Sequence, residues 1–157
     1  MGHQSLSLHL SEPDATEAVA RHLARHCAPG DVFLLQGDVG AGKTRFARAF
    51  IRSLLSFPED IPSPTFTIVQ TYDTEKGEIW HCDLYRVGVS EIDELGLDEA
   101  FETAVTLIEW PDRLGPLLPQ NALVLTFRPG PTDTSRDCDM SWSDPKWDAA
   151  MRGLQND

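Results

Sequence analysis

A glycine-rich segment in the first third of the chain has the residue types and spacing of a phosphate-binding loop. It matches the pattern G-x-x-x-x-G-K-T/S at every fixed position and consists of Gly37, Asp38, Val39, Gly40, Ala41, Gly42, Lys43 and Thr44. Glycines permit a turn whose backbone N–H groups point inward, toward an anion. In such loops the lysine, here Lys43, contacts the β- and γ-phosphates, and the hydroxyl of the following Thr44 ligates magnesium. The pattern therefore predicts a site for ATP or GTP with Mg²⁺.

Two carboxylates each follow an apolar run, which is where a P-loop protein that hydrolyses nucleotides needs an acidic side chain near its metal. Glu109 follows residues 104–108, and Asp83 follows residues 79–82. Ligands of open α/β sheets bind at the carboxyl ends of the strands. Both side chains are therefore candidates for metal binding or for handling the attacking water. Either could also merely cap the end of a strand, and the pattern favours Glu109 over Asp83.

Other residues near these motifs are open to two interpretations. Thr65, in the sequence Ser-Pro-Thr-Phe at 63–66, could sense the γ-phosphate and magnesium as switch loops do, or could belong to a rigid turn bounded by proline. We interpret His81 as a structural strand residue, Trp110 as a packing residue and Arg45 as a solvated helix residue.

The elements that must position these residues alternate between strands and helices. Strands are predicted at 5–10, 31–36, 65–72, 78–83, 104–109 and 122–127, with a hairpin turn containing Gly77. Helices are predicted at 16–27, 43–55, 90–101 with an interruption at Gly96, and 111–119. This order predicts an α/β protein: a three-layer P-loop NTPase fold with a mainly parallel central sheet and an inserted β-hairpin. We expect one P-loop domain over 1–137 and a short C-terminal tail over 138–157, either helical near 144–154 or disordered.

Composition restricts the classes of partner and compartment. A chain of 157 residues suits one domain with one core. The net charge is −12 with only three lysines, so the chain is poorly suited to bind RNA or DNA alone, which requires many cations to displace counterions. The three cysteines lack the spacing of a zinc site or redox pair and are expected to be free thiols in a reducing compartment. No apolar run is long enough to span a membrane, and we expect no secretory signal.

Four motifs in a fixed order resemble the TsaE family, whose older name is YjeE. They are Gly-Asp-Val-Gly-Ala-Gly-Lys-Thr at 37–44, Ser-Pro-Thr-Phe at 63–66, His-Cys-Asp-Leu-Tyr-Arg at 81–86 and Ile-Glu-Trp-Pro at 108–111. The resemblance runs over about 11–127. The four motifs together are far more specific than the phosphate-binding loop alone.

The resemblance implies a function and its partners. TsaE proteins are bacterial cytoplasmic ATPases that are needed to form threonylcarbamoyladenosine at position 37 of tRNAs reading codons that begin with A. They bind a complex of TsaB and TsaD, in which TsaD performs the transfer, so contact with tRNA is only indirect. TsaE uses ATP hydrolysis to support repeated turnover and is a weak ATPase alone. The implied ligands are ATP or ADP and Mg²⁺, and no membrane is involved.

The resemblance also implies roles for individual residues. Lys43 and the loop amides match the phosphate site, and Thr44 and Glu109 match the magnesium ligands. Asp83 matches the family carboxylate that assists the metal or the attacking water. Thr65 matches the switch-like threonine.

Three further positions have a less definite counterpart. Tyr85 and Arg86 match motif residues whose role we leave open. The family often has a basic residue near the nucleotide after the last predicted strand, and Arg136 is the nearest candidate. Cys82 departs from the residue often found between the histidine and the aspartate, which we expect to be harmless.

A phosphate-binding loop is also compatible with three other functions. A small-molecule kinase of P-loop type would need a substrate pocket and an arginine-bearing lid, for which Arg113, Arg128 and Arg136 are too scattered. A GTP switch commonly carries Asn-Lys-x-Asp, and no lysine here follows an asparagine, which favours ATP. A nucleotide-gated binding module would need only nucleotide binding, so the requirement for hydrolysis distinguishes it from an ATPase. The sequence does not decide whether the chain self-associates.

Overall fold

The strands of the protein form one mixed sheet in a computed structural model that describes residues 3–38, 42–55, 69–85 and 87–155. Within these residues the strands are β1 (Gln4–Leu10), β2 (Val32–Gln36), β3 (Val69–Thr74), β4 (Gly77–Asp83), β5 (Val105–Glu109), β6 (Leu123–Pro129) and β7 (Arg136–Trp142). Their order across the sheet is β1-β7-β6-β2-β5-β4-β3. The sheet is parallel in the middle, where β2 pairs with β5 and β6 and where β4 pairs with β5. The outer pairings, β1 with β7, β6 with β7 and β3 with β4, are antiparallel.

Helices cover both faces of this sheet. The described helices are α1 (Pro13–His26), α2 (Lys43–Leu54), α3 (Val89–Ile92), α4 (Leu97–Thr103) and α5 (Asp148–Gln155). Helices α1, α2 and α5 contribute to the larger apolar cluster, and α3 and α4 contribute to the smaller one. The predicted three-layer α/β fold is therefore confirmed. None of the helices in the described ranges has the length and apolar character that crossing a bilayer requires.

The central strand β2 explains how the sequence specifies these layers. Successive side chains of a strand point to opposite faces of the sheet. Phe33 and Leu35 belong to the larger cluster, whereas Val32 and Leu34 belong to the smaller one. All four are buried, as a strand covered on both faces requires. This burial fixes β2 in the sheet centre, from which the chain leads directly to Gly37.

Helix α2 is held against the sheet by one apolar face. Phe46, Ala47, Phe50, Ile51 and Leu54 are buried and recur at the three- and four-residue spacing of a helix face. The ring of Phe50 packs against that of Phe33 in β2, with centroids 4.9 Å apart. The N-terminus of α2, which carries Lys43 and Thr44, is thereby placed close to the end of β2.

The C-terminal segment departs from the sequence analysis, which had no strand after 127 and assigned 138–157 to a tail. The boundary placed between 137 and 138 falls inside β7, which lies between β1 and β6. Cys138, Met140 and Trp142 are buried at alternate positions, as a strand with one face on the core requires. The helix expected near 144–154 is present as α5, and its Met151 and Leu154 are buried.

Candidate nucleotide site at the carboxyl edge of the sheet

A cavity of about 430 Å³ lies where β4 and β5 end and α2 begins. Six of its lining residues were candidates in the sequence analysis: Gly42, Lys43, Thr44, Asp83, Glu109 and Arg136. The structure thus brings together residues from four separate segments of the chain. Val39, Gly40, Ala41, Thr65 and Arg86 lie outside the described residues.

Gly42 joins the phosphate-binding loop to α2. Its φ of +115° lies in the left-handed region, which residues with a side chain rarely adopt. The carbonyl of Gly42 accepts a hydrogen bond from the backbone N–H of Phe46, so this glycine caps the first turn of α2. The cavity therefore faces the N-terminal end of a helix, where free N–H groups and the helix dipole favour an anion.

Lys43 points its ammonium group at other parts of the same site. Its Nζ donates a hydrogen bond to the carbonyl of Gly37 at 2.6 Å and lies 3.5 Å from the ring centroid of Trp110. The residue is buried. Burial lowers the pKa of Lys43, and the nearby carboxylates of Glu109 and Asp83 oppose this shift. The buried ammonium and these carboxylates place both signs of charge beside the cavity.

Glu109 uses both oxygens of its carboxylate. Its Oε1 accepts a hydrogen bond from the hydroxyl of Thr44 at 3.1 Å, and its Oε2 lies 2.7 Å from Nε2 of His81. Glu109 is only 2% exposed. The side chain predicted at the end of an apolar strand therefore reaches the threonine of the phosphate-binding loop.

Asp83 lies directly beside Glu109, because these two residues are register partners in the parallel pairing of β4 with β5. Its Oδ1 accepts a hydrogen bond from the backbone N–H of Tyr85 at 3.0 Å. Asp83 is partly buried, and burial raises the pKa of its carboxyl group, an effect that the hydrogen bond from Tyr85 opposes. The two strand ends thus place two carboxylates side by side in different surroundings.

The donors at this position fit a magnesium ion bound together with a nucleotide. Mg²⁺ prefers oxygen ligands, and it usually binds through one or two protein groups with waters and substrate phosphates completing its shell. The hydroxyl of Thr44 and the carboxylate of Glu109 offer such oxygen atoms and lie in contact with each other. Within the described ranges no group of three histidine, cysteine or acidic side chains could hold a metal by itself. The residues present therefore suit a shared site rather than a closed protein cage.

Trp110 and His81 both contact residues of the site, although the sequence analysis interpreted them as packing and structural residues. Trp110 lines the cavity under Lys43, and its ring packs against that of Tyr85 with centroids 4.7 Å apart. Its φ of 61° is unusual for a bulky residue and turns the chain sharply after Glu109. His81 is a strand residue as interpreted, but it also contacts Glu109. Its position two residues before Asp83 places it on the same strand face, but the residue that its ring contacts has no sequence signal.

A second group of lining residues comes from parts of the chain that the sequence analysis did not connect to the site. It consists of Pro13, Thr16, Arg45, Asp133 and Thr134. Arg45, interpreted as solvated, is exposed and forms an ion pair with Glu17 at 2.9 Å, yet it also borders the cavity. The loop between β6 and β7 reaches the site because β7 returns antiparallel beside β6. The sequence analysis missed that return because it did not predict β7.

Comparison with known proteins places these features in a family. Residues 10–138 match the family model of the threonylcarbamoyl adenosine biosynthesis protein TsaE. Relatives named tRNA threonylcarbamoyladenosine biosynthesis protein TsaE include one from Rickettsia bellii, 43% identical over 111 residues that cover 70% of this chain and 77% of the relative. Another, from Bacillus subtilis, is 39% identical over 117 residues, covering 74% and 73%.

A solved structure agrees over the whole fold. The crystal structure of YdiB from Bacillus subtilis superposes with a TM-score of 0.81 and 30% sequence identity, covering 99% of this chain and 97% of that one. The family model spans the phosphate-binding loop, both strand-end carboxylates and Arg136. This chain is therefore a member of the TsaE family.

Proposed function

We propose that this protein is a Mg²⁺-dependent ATPase that supports formation of N6-threonylcarbamoyladenosine at position 37 of tRNAs reading codons that begin with A. It acts in the cytoplasm with TsaB and TsaD and is weak as an ATPase alone. The named relatives support the pathway, because they are tRNA threonylcarbamoyladenosine biosynthesis proteins. The site supports the chemistry.

The observation that carries the proposal is the contact between Thr44 and Glu109. It joins the last residue of the phosphate-binding loop to a buried carboxylate at the end of a parallel strand. The two residues are 65 positions apart in the chain. P-loop ATPases require this pairing of a loop hydroxyl with a strand-end carboxylate at the metal.

Each residue then has a part in hydrolysis. The loop amides and the ammonium of Lys43 bind the β- and γ-phosphates and stabilise the negative charge that develops on them. Thr44 and Glu109 would hold the metal, which when bound neutralises phosphate charge. Asp83, beside Glu109, orients the attacking water or assists at the metal. Burial of Lys43 strengthens its interaction with a phosphate, because the surrounding dielectric is low.

Net charge supports indirect rather than direct contact with tRNA. The chain carries 13 basic and 25 acidic residues. Acidic side chains repel the phosphate backbone, and nucleic-acid affinity depends on the phosphates that Lys and Arg neutralise. The substrate tRNA is therefore expected to be held by the TsaB–TsaD complex.

The test is ATP hydrolysis by the purified protein with Mg²⁺, first alone and then with TsaB and TsaD from the same organism. We expect weak hydrolysis alone and a clear increase with the complex. Lys43→Ala should lower turnover by about 100-fold or more, the scale of losing a main electrostatic contact in the transition state. The proposed partnership would be contradicted if the rate of hydrolysis were the same with and without TsaB–TsaD and if the protein did not bind them.

The same experiment separates the kinase alternative. An ATPase transfers the γ-phosphoryl group to water, so free phosphate appears in equal amount to ADP. A kinase would form ADP without matching free phosphate when its acceptor is present. AMP-PNP is an ATP analogue that is not hydrolysed. If it stimulated threonylcarbamoyladenosine formation by TsaB and TsaD as ATP does, the protein would instead be a nucleotide-gated binding module.

A further inference from the structure

We propose that His81 is a positioning residue that holds the carboxylate of Glu109 in the orientation needed to bind Mg²⁺ with ATP. This inference rests on the proposed function, because it assigns Glu109 to the metal. It adds a role for a histidine that the sequence analysis interpreted as structural.

The geometry places His81 next to Glu109 without placing it in the cavity. His81 lies in β4 opposite Leu107 of β5, and Asp83, two residues later, lies opposite Glu109. Its Nε2 reaches diagonally across the two strands to Oε2 of Glu109 at 2.7 Å. His81 is fully buried and does not line the cavity. Among the described lining residues, its hydrogen bond is to Glu109.

The hydrogen positions follow from the chemistry of the pair. A carboxylate oxygen only accepts hydrogen bonds, so Nε2 of His81 must carry the hydrogen. The other ring nitrogen, Nδ1, is buried and has no hydrogen-bond partner among the described residues. A buried polar atom without a hydrogen-bond partner destabilises the folded state. An apolar side chain of similar size would fill this position without that penalty, so packing alone does not account for the histidine.

The contact between His81 and Glu109 does not depend on the contact between Thr44 and Glu109. Thr44 and His81 bind different oxygens of Glu109, from α2 and β4 respectively. If the Thr44 hydroxyl ligated a metal, the hydrogen bond from His81 to the other carboxylate oxygen would still hold Glu109. Partners of this kind behind a metal ligand typically change metal affinity or activity by about 10–100-fold when they are removed.

Three substitutions distinguish this role from packing. The amide nitrogen of His81→Gln can occupy about the position of Nε2, whereas the shorter His81→Asn reaches only the position of Nδ1. His81→Leu fills the space without a donor. The matched control is His22→Leu, because His22 is another buried histidine, donates from Nε2 to the carbonyl of Ala150 at 2.8 Å, and does not line the cavity.

The measurement is binding of AMP-PNP, by calorimetry, across a Mg²⁺ titration and again in EDTA, with melting temperatures recorded for every variant. We expect His81→Asn and His81→Leu to raise the Mg²⁺ concentration for half-maximal binding by about 10-fold or more. Binding in EDTA should change by less than about twofold in both variants, since His81 does not line the cavity and its hydrogen bond is to the carboxylate assigned to the metal. His81→Gln should remain within about threefold of the wild type, and His22→Leu should show the wild-type Mg²⁺ requirement even if it melts earlier.

The inference is overturned if folded His81→Asn keeps the wild-type Mg²⁺ requirement, or if Gln and Asn raise that requirement equally. Should His81→Leu fail to fold, the comparison of Gln with Asn still decides. A wild-type protein whose nucleotide binding does not respond to Mg²⁺ would instead overturn the proposed function itself, and this inference with it.

Discussion

The ends of β4 and β5 are neighbours in register, and each carries a carboxylate, yet the two ends are built differently. Glu109, at the end of β5, is buried and uses both oxygens, one toward α2 and one toward β4. Asp83, at the end of β4, is only partly buried, and its hydrogen bond comes from the backbone two residues later. One carboxylate is fixed by side chains from two elements, and the other sits in a local turn.

This difference shows how neighbouring strand ends can divide the work of one site. A ligand that must keep its geometry benefits from contacts on both oxygens, because second-shell hydrogen bonds orient it. A group that handles water benefits from an accessible oxygen and a raised pKa. We therefore expect Glu109 to determine metal affinity and Asp83 to determine turnover more than binding. The predictions below test that division.

The largest effect is expected for Glu109→Gln. The neutral amide removes the charge that favours Mg²⁺, while its size and its oxygen keep one of the two hydrogen bonds possible. Turnover should fall by about 100-fold or more, and the Mg²⁺ requirement for ATP binding should rise strongly. The measurement is steady-state ATP hydrolysis with the TsaB–TsaD complex, combined with a Mg²⁺ titration of binding. Turnover within a few fold of the wild type would contradict the assignment of Glu109 to the metal site.

A smaller effect, mainly on turnover rather than on the Mg²⁺ requirement, is expected for Asp83→Asn. The amide oxygen can still accept the hydrogen bond from the backbone of Tyr85, so the turn after β4 should persist. Turnover should fall by about 100-fold, the lower end of the range typical of losing a group that handles a proton. The Mg²⁺ requirement for AMP-PNP binding should change less than in Glu109→Gln. Equal changes in binding for both variants would abolish the proposed division between the two strand ends.

The smallest effect is expected on the melting temperature of Asp83→Asn and on its dependence on pH, both measured in EDTA without nucleotide. Burial raises the pKa of Asp83 in the folded protein above its unfolded value, so the ionised form is disfavoured by folding. Asp83→Asn should therefore melt at the same or a higher temperature than the wild type at pH 7.5. That difference should shrink as the pH falls through the raised pKa, because the wild-type carboxyl then takes up its proton.

The control for this measurement is Asp73→Asn, on an exposed position of β3. Its melting temperature relative to the wild type should not follow the same pH trend. A wild type that is clearly more stable than Asp83→Asn at pH 7.5 would show that the charged form of Asp83 is favoured by the fold, contrary to the direction given by its burial.

The site could be predicted as far as it rests on local patterns. The phosphate-binding loop is a contiguous motif, and Glu109 and Asp83 each end an apolar run, so their convergence at one sheet edge followed from parallel pairing. The contact of His81 with Glu109 could not be derived, because a diagonal reach across two strands depends on side-chain rotamers. The same holds for Lys43 against Trp110, since a positive φ at a tryptophan has no sequence signature.

The fold was least predictable at β7. Its residues do alternate, with Cys138, Met140 and Trp142 on the buried face. However, the intervening positions hold two aspartates and a serine, the strand begins with Arg136, and a polar segment with two prolines precedes it. Propensity disfavours such residues in strands, whereas tertiary pairing with β1 and β6 overrides that preference.

The pairing of β1 with β7 constrains the order in which a newly made chain can acquire its structure. β1 is synthesised well before its sheet neighbour β7, with which it pairs from Leu10 opposite Arg136 to Gln4 opposite Trp142. Until β7 is synthesised, β1 lacks its partner among the described strands, and β6 presents an open edge beside β2, the strand that leads to the candidate nucleotide site. Unpaired edges of this kind promote association with other chains. Synthesis of β7 therefore gives β1 its partner and covers the edge of β6, so a chain stalled before β7 would expose both strands.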